Sequence, residues 1–399
     1  MPTVRPTLHA PTRLANLSPG TALAVLVGLL LWIAVGLALT PTTNPTGSPA
    51  GGDASLYRQI TARVAKGENY YHAVAVEHRA SAYPLKPYTA VRPPVLTEIM
   101  SRIGPTAADL LLRLLAIAAA AATVIRLAPE MRAPFREAAI LLAATSAGAF
   151  VQSGMWVWHE VWAGLLITFA LACRTDKHWA ASVAVGLTAA LIRELAFPFL
   201  IVMAGAAWLD GRKREASAWA GAAAIMLAAL AFHWSVVARI AQANDVTSPG
   251  WAALGGWRFD LALARQSSLL IALPAWVAAL VVPLALLGWA AKAGGYALRT
   301  TAILGLWLGA FLVLGRPDNA YWGFLFAPIL PIGLAFAPAA LHDLIQAVRA
   351  RTDEAVLPAE ALLPLGRFPA KRCFLLKNSE RPCPSSPTVG SASRRKPTA

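Results

Sequence analysis

The sequence predicts an all-α fold, a polytopic transmembrane helical bundle of about ten spans with a long first extracytoplasmic loop that bears amphipathic surface helices. Composition is the first reason, because the 399 residues are 57% hydrophobic and 14% charged, whereas soluble domains average roughly 45–50% and about 25%. Patterning is the second, since the apolar residues form runs of 14 to 23 between short basic segments, as membrane-spanning helices do.

The charge distribution is the third reason. The net charge is +15, yet 22 of the 35 Lys and Arg residues lie in segments that a ten-span topology places on the cytoplasmic side. Seven of the others lie in the long first loop, and long loops cross a membrane largely regardless of charge. This asymmetry fits the positive-inside rule and attraction to anionic lipid better than a nucleic-acid groove, so no nucleic-acid partner is expected.

The first elements follow from the N-terminal third. Residues 1–18 carry Arg5 and Arg13 and precede an apolar run at 19–39, which we interpret as an uncleaved first span with a cytoplasmic N-terminus. The first periplasmic loop covers 40–106 and opens with a segment rich in Pro, Thr, Gly and Ser.

Two amphipathic surface helices are expected inside this loop. Leu56, Ile60 and Val64 recur at four-residue spacing, which predicts a helix with one apolar face that lies at the membrane surface. Pro93-Pro94 is expected to open the second helix, because proline suits a first helical turn.

The remaining apolar runs complete a transmembrane domain at 19–341, with a further outer loop at 239–267 and a basic, largely disordered cytoplasmic tail at 342–399. An alternative fuses four middle runs into two helices, 137–172 and 179–209. We favour separate hairpins, because a 36-residue helix would be about 54 Å long against a hydrocarbon core of about 30 Å. The later spans are predicted at 107–127, 137–151, 156–172, 179–192, 195–209, 216–238, 268–290, 299–314 and 321–341.

This topology places the unusual polar clusters on the outer face. Asp53 is expected either to cap a helix or to act as a general base that deprotonates a hydroxyl. Arg92 and Arg316 are either surface charges or phosphate contacts, since a guanidinium binds phosphate oxygens in a bidentate way. Asp318 lies in the same turn as Arg316 and precedes the aromatic pair Tyr321-Trp322, which fits an interfacial belt or the flank of a headgroup or sugar.

Two further pairs lie at span ends. His159 and Glu160 are adjacent, so they lie about 100° apart on a helix and cannot form a two-ligand metal face by themselves. Arg193 and Glu194 either pair with neighbouring helices or contribute to a site. The sequence contains no Walker A motif, no G-x-G-x-x-G after a strand, no H-E-x-x-H and no G-x-S-x-G, so the usual anchors of nucleotide-driven transport, zinc proteolysis and serine hydrolysis are missing.

Taken together, these motifs resemble the GT-C superfamily of membrane glycosyltransferases, in the branch of dolichyl-phosphate-mannose-type and arabinose-type enzymes. The resemblance covers 15–341 in architecture and is carried at motif level by the first loop. Its motifs are Gly51-Gly52-Asp53 with Leu56-Tyr57, Ala65-Lys66-Gly67, Tyr70-Tyr71, Tyr88 through Arg92-Pro93-Pro94-Val95-Leu96, Trp158-His159-Glu160 and Leu191-Ile192-Arg193-Glu194.

The resemblance implies inverting glycosyl transfer from a polyprenyl-phosphate-linked sugar to a glycan, lipid or protein acceptor of the cell envelope. It implies Asp53 as the catalytic base and points to Glu160 as a second acidic residue. Donor phosphate is expected at Arg92, Arg193 and Arg316, with His159, Glu194, Asp318 and Tyr57 close to substrate or metal. A divalent cation, Mg²⁺ or Mn²⁺, is a candidate cofactor, but no Asp-x-Asp or Glu-x-Asp pair is present, and this absence argues against metal dependence.

The Ala-rich spans favour a bacterial inner membrane, with both termini cytoplasmic and the site on the periplasmic face. Two rival functions remain open at this point: a transporter or flippase of a lipid-linked or anionic solute, and a non-catalytic membrane scaffold. The outer arginines of a transporter would bind phosphate without chemistry, whereas a scaffold would keep only the helical bundle.

Overall fold

The computed structural model describes residues 11–40 and 50–355, with backbone alone for 50, 51 and 351–355. Within these residues the fold is all-helical, as predicted, with two isolated β-bridges and no strand. The α-helices are α1 Pro19–Leu39, α2 Ala50–Ala65, α3 Tyr70–Ala80, α4 Val95–Leu127, α5 Phe135–Gly148, α6 His159–Cys173, α7 Trp179–Ile192, α8 Phe197–Leu209, α9 Lys213–Ile240, α10 Gly256–Gln266, α11 Trp276–Ala291, α12 Gly295–Phe311 and α13 Ala337–Ala355.

Local sequence explains where several helices begin. Ser18 caps α1 by accepting a hydrogen bond from the backbone N of Thr21 at 3.2 Å, and Asn69 caps α3 in the same way. The expectation that Pro93-Pro94 opens a helix is confirmed, because α4 begins at Val95. A kink divides α4 at Gly104, which has a φ of 79° and precedes Pro105.

The first amphipathic helix is also confirmed as a helix. Leu56, Ile60 and Val64 of α2 are buried, whereas Arg58 and Lys66 are exposed. Their apolar face packs on α3 and α4. The opening of the loop at 41–49 lies outside the described residues.

The four middle runs form separate helices rather than two fused ones. Residues 149–158 divide α5 from α6, with Gly154 at a φ of 86°. Arg193 adopts an extended backbone between α7 and the short 3₁₀ segment Glu194–Ala196. These helices have 13 to 15 residues, so each is only about 20 to 23 Å long.

The last predicted span, 321–341, is not one helix. The segment instead forms the 3₁₀ helices Pro317–Leu325 and Leu330–Ala335 and then enters α13. Proline at 328 and 331 removes the amide donors that a continuous helix needs. This segment is buried against α6, α10 and α11, which is where irregular backbone can be tolerated in a membrane protein.

Glycine permits that close burial. A Cβ atom on Gly288 of α11 would lie 1.9 Å from the carbonyl oxygen of Gly333, and a Cβ on Gly164 of α6 would lie 2.2 Å from that of Phe324. The 3₁₀ segments therefore touch the neighbouring helices backbone to backbone.

Two other bounds also differ from the prediction: the run at 268–290 becomes an α-helix only at Trp276, and α13 continues to Ala355, past the predicted start of the tail. Residues 356–399 of that tail lie outside the described part of the chain.

Segments predicted for the cytoplasmic side contact one another at one end of the fold. Thr12 donates a backbone hydrogen bond to Asp343 at 2.8 Å, so the N-terminal segment lies beside α13. The other contacts at this end join Arg13 to Gly294, Lys292 to Glu130, Arg174 to Glu215 and Arg299 to Asp210.

The outer surface of the helices is strongly apolar. Three helical stretches of the described chain are long and apolar enough to cross a membrane, namely Pro19–Leu39, Tyr88–Glu130 and Lys213–Ile240. Large aliphatic side chains such as Leu30, Ile125 and Leu209 are 64 to 80% exposed. A surface of this kind fits association with a membrane.

Candidate active site

The candidate active site lies where five helix ends meet. Asp53 lies in the first turn of α2 and Tyr57 one turn further along the helix, and Arg92 comes from the segment before α4. His159 and Glu160 begin α6, and the break after α7 supplies Arg193 and Glu194. The 3₁₀ segment Pro317–Leu325 adds Tyr321. Residues up to 268 positions apart in sequence therefore share one site.

Arg92 occupies the centre of this group and is 7% exposed. Its guanidinium carbon lies 5.7 Å from the ring centroid of Tyr57 and 5.9 Å from that of Tyr321, which is within cation–π range. Its Nη2 donates a hydrogen bond to the hydroxyl of Tyr321 at 2.8 Å, and its backbone carbonyl accepts one from Tyr70 at 2.6 Å. Arg92 is thus held at both backbone and side chain.

A second guanidinium lies beside the first. Nε of Arg193 donates to Oε1 of Glu160 at 2.5 Å, and its Nη1 pairs with Glu194. Nη2 of Arg92 lies 3.9 Å from the same Oε1 atom of Glu160. We refer to Arg92, Glu160, Arg193 and Glu194 as the central cluster.

The central cluster contains buried polar atoms without a hydrogen-bond partner. They include the donors Nε of Arg92 and Nη2 of Arg193, and the acceptors Oε2 of Glu160 and Glu194. Both ring nitrogens of the buried His159 also lack a well-aligned hydrogen bond, with the backbone of Val157 as a polar neighbour. Because each unsatisfied buried group costs roughly 1–3 kcal/mol, several in one place indicate a site built for a polar ligand.

Asp53 lies at the more accessible edge of the site and is half-buried. It sits within the first turn of α2 rather than before it, so the N-cap interpretation does not describe its position. Its carboxylate accepts hydrogen bonds from the hydroxyls of Tyr83 and Tyr321. Burial raises its pKa above 3.8, and nearby Arg92 and the two tyrosines oppose part of that rise.

Gly52 explains how Tyr83 reaches Asp53. A Cβ atom at position 52 would lie 2.6 Å from the Tyr83 hydroxyl oxygen. The glycine before Asp53 therefore leaves room for the phenol that contacts the carboxylate.

Arg316 and Asp318 lie near the rim but not in the central cluster. The guanidinium of Arg316 makes a bidentate pair with Asp318 at 2.7 and 3.0 Å, and its Nη1 donates to Ser248 and to the carbonyl of Gly250. These contacts occupy most of its donors and tie the 3₁₀ segment to the loop after α9. Arg316 therefore holds two segments together at the edge of the site and has few free N–H donors left for a phosphate.

A cavity of about 190 Å³ adjoins the site. Its aromatic wall is formed by Trp158, Tyr321 and Phe324, and Asp318 and Gln266 add polar groups. Trp158 and Tyr321 lie with ring centroids 5.2 Å apart. An aromatic wall with a polar edge suits the apolar face and hydroxyls of a sugar ring.

The described residues include no group of three or more His, Cys, Asp or Glu side chains arranged to hold a metal ion. Glu160 and Glu194 are paired with Arg193, and a guanidinium is a poor neighbour for a divalent cation. This donor set does not fit a Mg²⁺ or Mn²⁺ site.

The structure brings together six predicted site residues, Asp53, Tyr57, Arg92, His159, Glu160 and Arg193, with Glu194 at their side. Sequence reasoning missed Tyr83, which faces Asp53. It singled out Tyr70 only as part of a motif and did not predict its hydrogen bond to the Arg92 backbone. Tyr83 lies in a turn without periodicity, so no local signal marked it. Tyr321 was recognised as an aromatic at the interface, but its bond to Arg92 depends on the folding of the last apolar segment.

No protein-family model, curated protein or solved structure matches this chain. The GT-C resemblance therefore rests on the short sequence motifs alone.

Proposed function

We propose that this chain is an integral-membrane glycosyltransferase of the GT-C type, which transfers a sugar from a polyprenyl phosphate to an envelope acceptor with inversion. The observation that carries the proposal is the juxtaposition of a half-buried carboxylate, Asp53, with two buried arginines that retain unpartnered N–H groups. A base and an anion site side by side are what this reaction requires.

In the proposed reaction, the hydroxyl oxygen of the acceptor attacks the anomeric carbon of the sugar. Asp53 accepts the proton that this hydroxyl loses. The new C–O bond forms on one face while the bond from the anomeric carbon to the phosphate oxygen breaks on the other. The electron pair of that bond leaves with the lipid phosphate. The raised pKa of Asp53 makes it a stronger base than an exposed aspartate.

Arg92 and Arg193 are proposed to bind the departing phosphate. Each keeps one buried donor unused, and charge-assisted hydrogen bonds strengthen as negative charge builds on the leaving group. Glu160 and Glu194 hold Arg193 in place, so we assign Glu160 a positioning role in preference to that of a base. Tyr321 links the two halves, because its hydroxyl contacts both Arg92 and Asp53.

The proposal also includes the location of the site relative to the membrane. The ten-span topology would place the site at the periplasmic face of a bacterial inner membrane, with both termini in the cytoplasm. The prenyl chain of the donor would then stay in hydrocarbon while its phosphate reaches the membrane rim. The proposed reaction contains no metal-dependent step. Among the described residues, no group of three or more His, Cys, Asp or Glu side chains is arranged to hold a metal ion.

A transfer assay tests this proposal. Membranes that contain the chain are supplied in turn with radiolabelled polyprenyl-phosphate mannose and polyprenyl-phosphate arabinose. Wild type should release label from the lipid, and Asp53→Asn should lower kcat by about 10²- to 10⁴-fold. Asp176→Asn is the matched control, because Asp176 is 74% exposed and pairs with Arg212 at the opposite end. Equal turnover by wild type and Asp53→Asn would reject Asp53 as the base.

A folded wild type that turns over neither donor but moves the lipid-linked sugar between leaflets of a vesicle would reject the transferase in favour of a transporter. A folded chain without either activity would leave the scaffold as the explanation.

A further inference from the structure

A second, separate groove runs between α1, α10, α11 and α12. It has a volume of about 480 Å³ and an almost entirely apolar lining. Its wall includes Leu31, Trp32 and Val35 of α1 and Leu312 beyond α12, which are 38 to 62% exposed. The groove shares no lining residue with the candidate active site.

One carboxyl group lines this apolar groove. Asp260 of α10 is completely buried, and neither of its side-chain oxygens has a hydrogen-bond partner. Burial raises the pKa of Asp260 to about 8, so at neutral pH the group is mostly an uncharged acid that can donate as well as accept.

An unpartnered donor accompanies the carboxyl. Trp257 lies three positions earlier on α10, which places it on the same helix face, and it lines the same groove. Its Nε1 atom is buried without a hydrogen-bond partner. The indole also packs against Trp32 of α1, with ring centroids 4.8 Å apart and the ring planes tilted by 45°.

Two glycines keep the groove open. Gly305 and Gly309 of α12 are four residues apart, and a Cβ atom on either would meet nothing within 4 Å. Since helix interiors disfavour glycine by roughly 1 kcal/mol relative to alanine, two glycines on one face of α12 leave space at a cost in helix stability.

The polar groups in the groove restrict its occupant. The residues that line the groove include no Lys, Arg or His, so a phosphate or carboxylate headgroup would find no counter-charge beside Asp260. A hydroxyl matches the chemistry of both unpartnered groups, because it can accept a hydrogen bond from an indole N–H and can also bond to a carboxyl group. The apolar walls suit a hydrocarbon chain.

We propose that this groove binds a neutral lipid alcohol, a long apolar chain whose hydroxyl hydrogen-bonds to Asp260 and Trp257. The site is independent of the proposed glycosyl transfer and uses none of its residues. Ordinary membrane phospholipids carry a charged phosphate, for which the lining residues offer no counter-charge.

Photolabelling of the full chain in phosphatidylcholine nanodiscs tests this site. Four chain-matched C16 diazirine probes are compared, ending in hydroxyl, methyl, amine or phosphate, and labelled peptides are located by mass spectrometry. The hydroxyl probe should label α10 and α12 most strongly and should be displaced by unlabelled hexadecanol.

Variants of the polar pair should reduce this labelling selectively. Asp260→Leu and Trp257→Phe each remove one hydrogen bond, so labelling by the hydroxyl probe should fall about five- to tenfold. Asp260→Leu replaces an unpartnered buried carboxyl with an apolar group, so it should fold at least as stably as wild type. Gly309→Leu should fill the groove and abolish labelling, whereas Gly221→Leu on α9, also with free space around it, should not.

Equal labelling by the hydroxyl and methyl probes would overturn the proposal in favour of a bare apolar groove. Stronger labelling by the amine or phosphate probe would overturn it in favour of a charged ligand. Absence of labelling by every probe, or unchanged labelling in both Asp260→Leu and Trp257→Phe, would also reject it.

Discussion

Nε of Arg193 lies 2.5 Å from Oε1 of Glu160, and both side chains are completely buried. Glu160 accepts this bond while Arg92 approaches the same oxygen to 3.9 Å. One buried carboxylate therefore lies between two guanidinium groups. A carboxylate in this position stabilises the arginines and is poorly placed to take a proton from a substrate.

We expect Glu160→Gln to act chiefly through Arg193. Removal of one partner from a buried ion pair leaves an uncompensated charge, so the free energy of unfolding should fall by about 3 kcal/mol. Thermal unfolding in detergent would measure the change. The double variant Glu160→Gln, Arg193→Gln should recover part of that stability without recovering transfer. If the single variant Glu160→Gln were as stable as wild type yet inactive, Glu160 would be a catalytic residue instead.

The pH dependence of transfer should report the environment of Asp53. A base must be deprotonated, so the rate should fall with decreasing pH through a pKa above 3.8, because burial raises the pKa of Asp53. Tyr83→Phe removes a hydrogen bond that lowers this pKa, and the acid limb of kcat against pH should therefore move to higher pH. A limb that stays in place in Tyr83→Phe would show that another group titrates.

Arg92→Lys should weaken donor use although it keeps the charge. Lysine cannot form the planar fork of donors, and it loses the stacking between Tyr57 and Tyr321. We expect kcat/KM for the lipid donor to fall by about 10²-fold. Arg316→Lys is the matched control, since Arg316 is engaged with Asp318, and it should change kcat/KM by about twofold at most.

The ion pair between Arg79 and Asp245 should make stability depend on pH. Nε of Arg79 lies 2.7 Å from Oδ1 of Asp245, and the pair holds the pKa of Asp245 at about 2, below its ordinary 3.8. A lowered pKa in the folded state stabilises the fold above pH 3.8, and this contribution disappears as pH falls through about 2.

Asp245→Asn should accordingly lower the free energy of unfolding by about 1 kcal/mol at neutral pH, because the Arg79 side chain is partly exposed. The difference from wild type should shrink as the pH approaches 2. Chemical unfolding at pH 7 and pH 3 would measure it, and a difference independent of pH would contradict this assignment.

Much of the fold follows from local pattern. The bounds of α1, α7 and α9 lie close to the predicted runs, because an apolar run of that length between polar segments has few alternatives to a helix. The amphipathic α2 is equally local, since its four-residue spacing defines one buried face.

The last apolar segment shows where local pattern fails. Residues 321–341 have the composition of a span, but the prolines and the backbone contacts of Gly333 make the segment a pair of buried 3₁₀ turns. The hydropathy of a segment predicts that it is shielded from water. It does not predict whether the segment faces lipid or packs in the interior of a helical bundle.

The sequence by itself singled out the candidate site residues: Asp53, Arg92, Glu160 and Arg193 stand out because ionisable groups beside apolar runs are costly. Only the tertiary structure decided their partners. It paired Glu160 with Arg193, occupied Arg316 with Asp318, and brought Tyr83 to Asp53 and Tyr321 to Arg92. It also left Asp260, an inconspicuous aspartate in α10, buried in an apolar groove. Apart from the local Arg316–Asp318 pair, these pairings join different helices or loops of the chain, and the packing of helices, not their periodicity, fixes which ends meet.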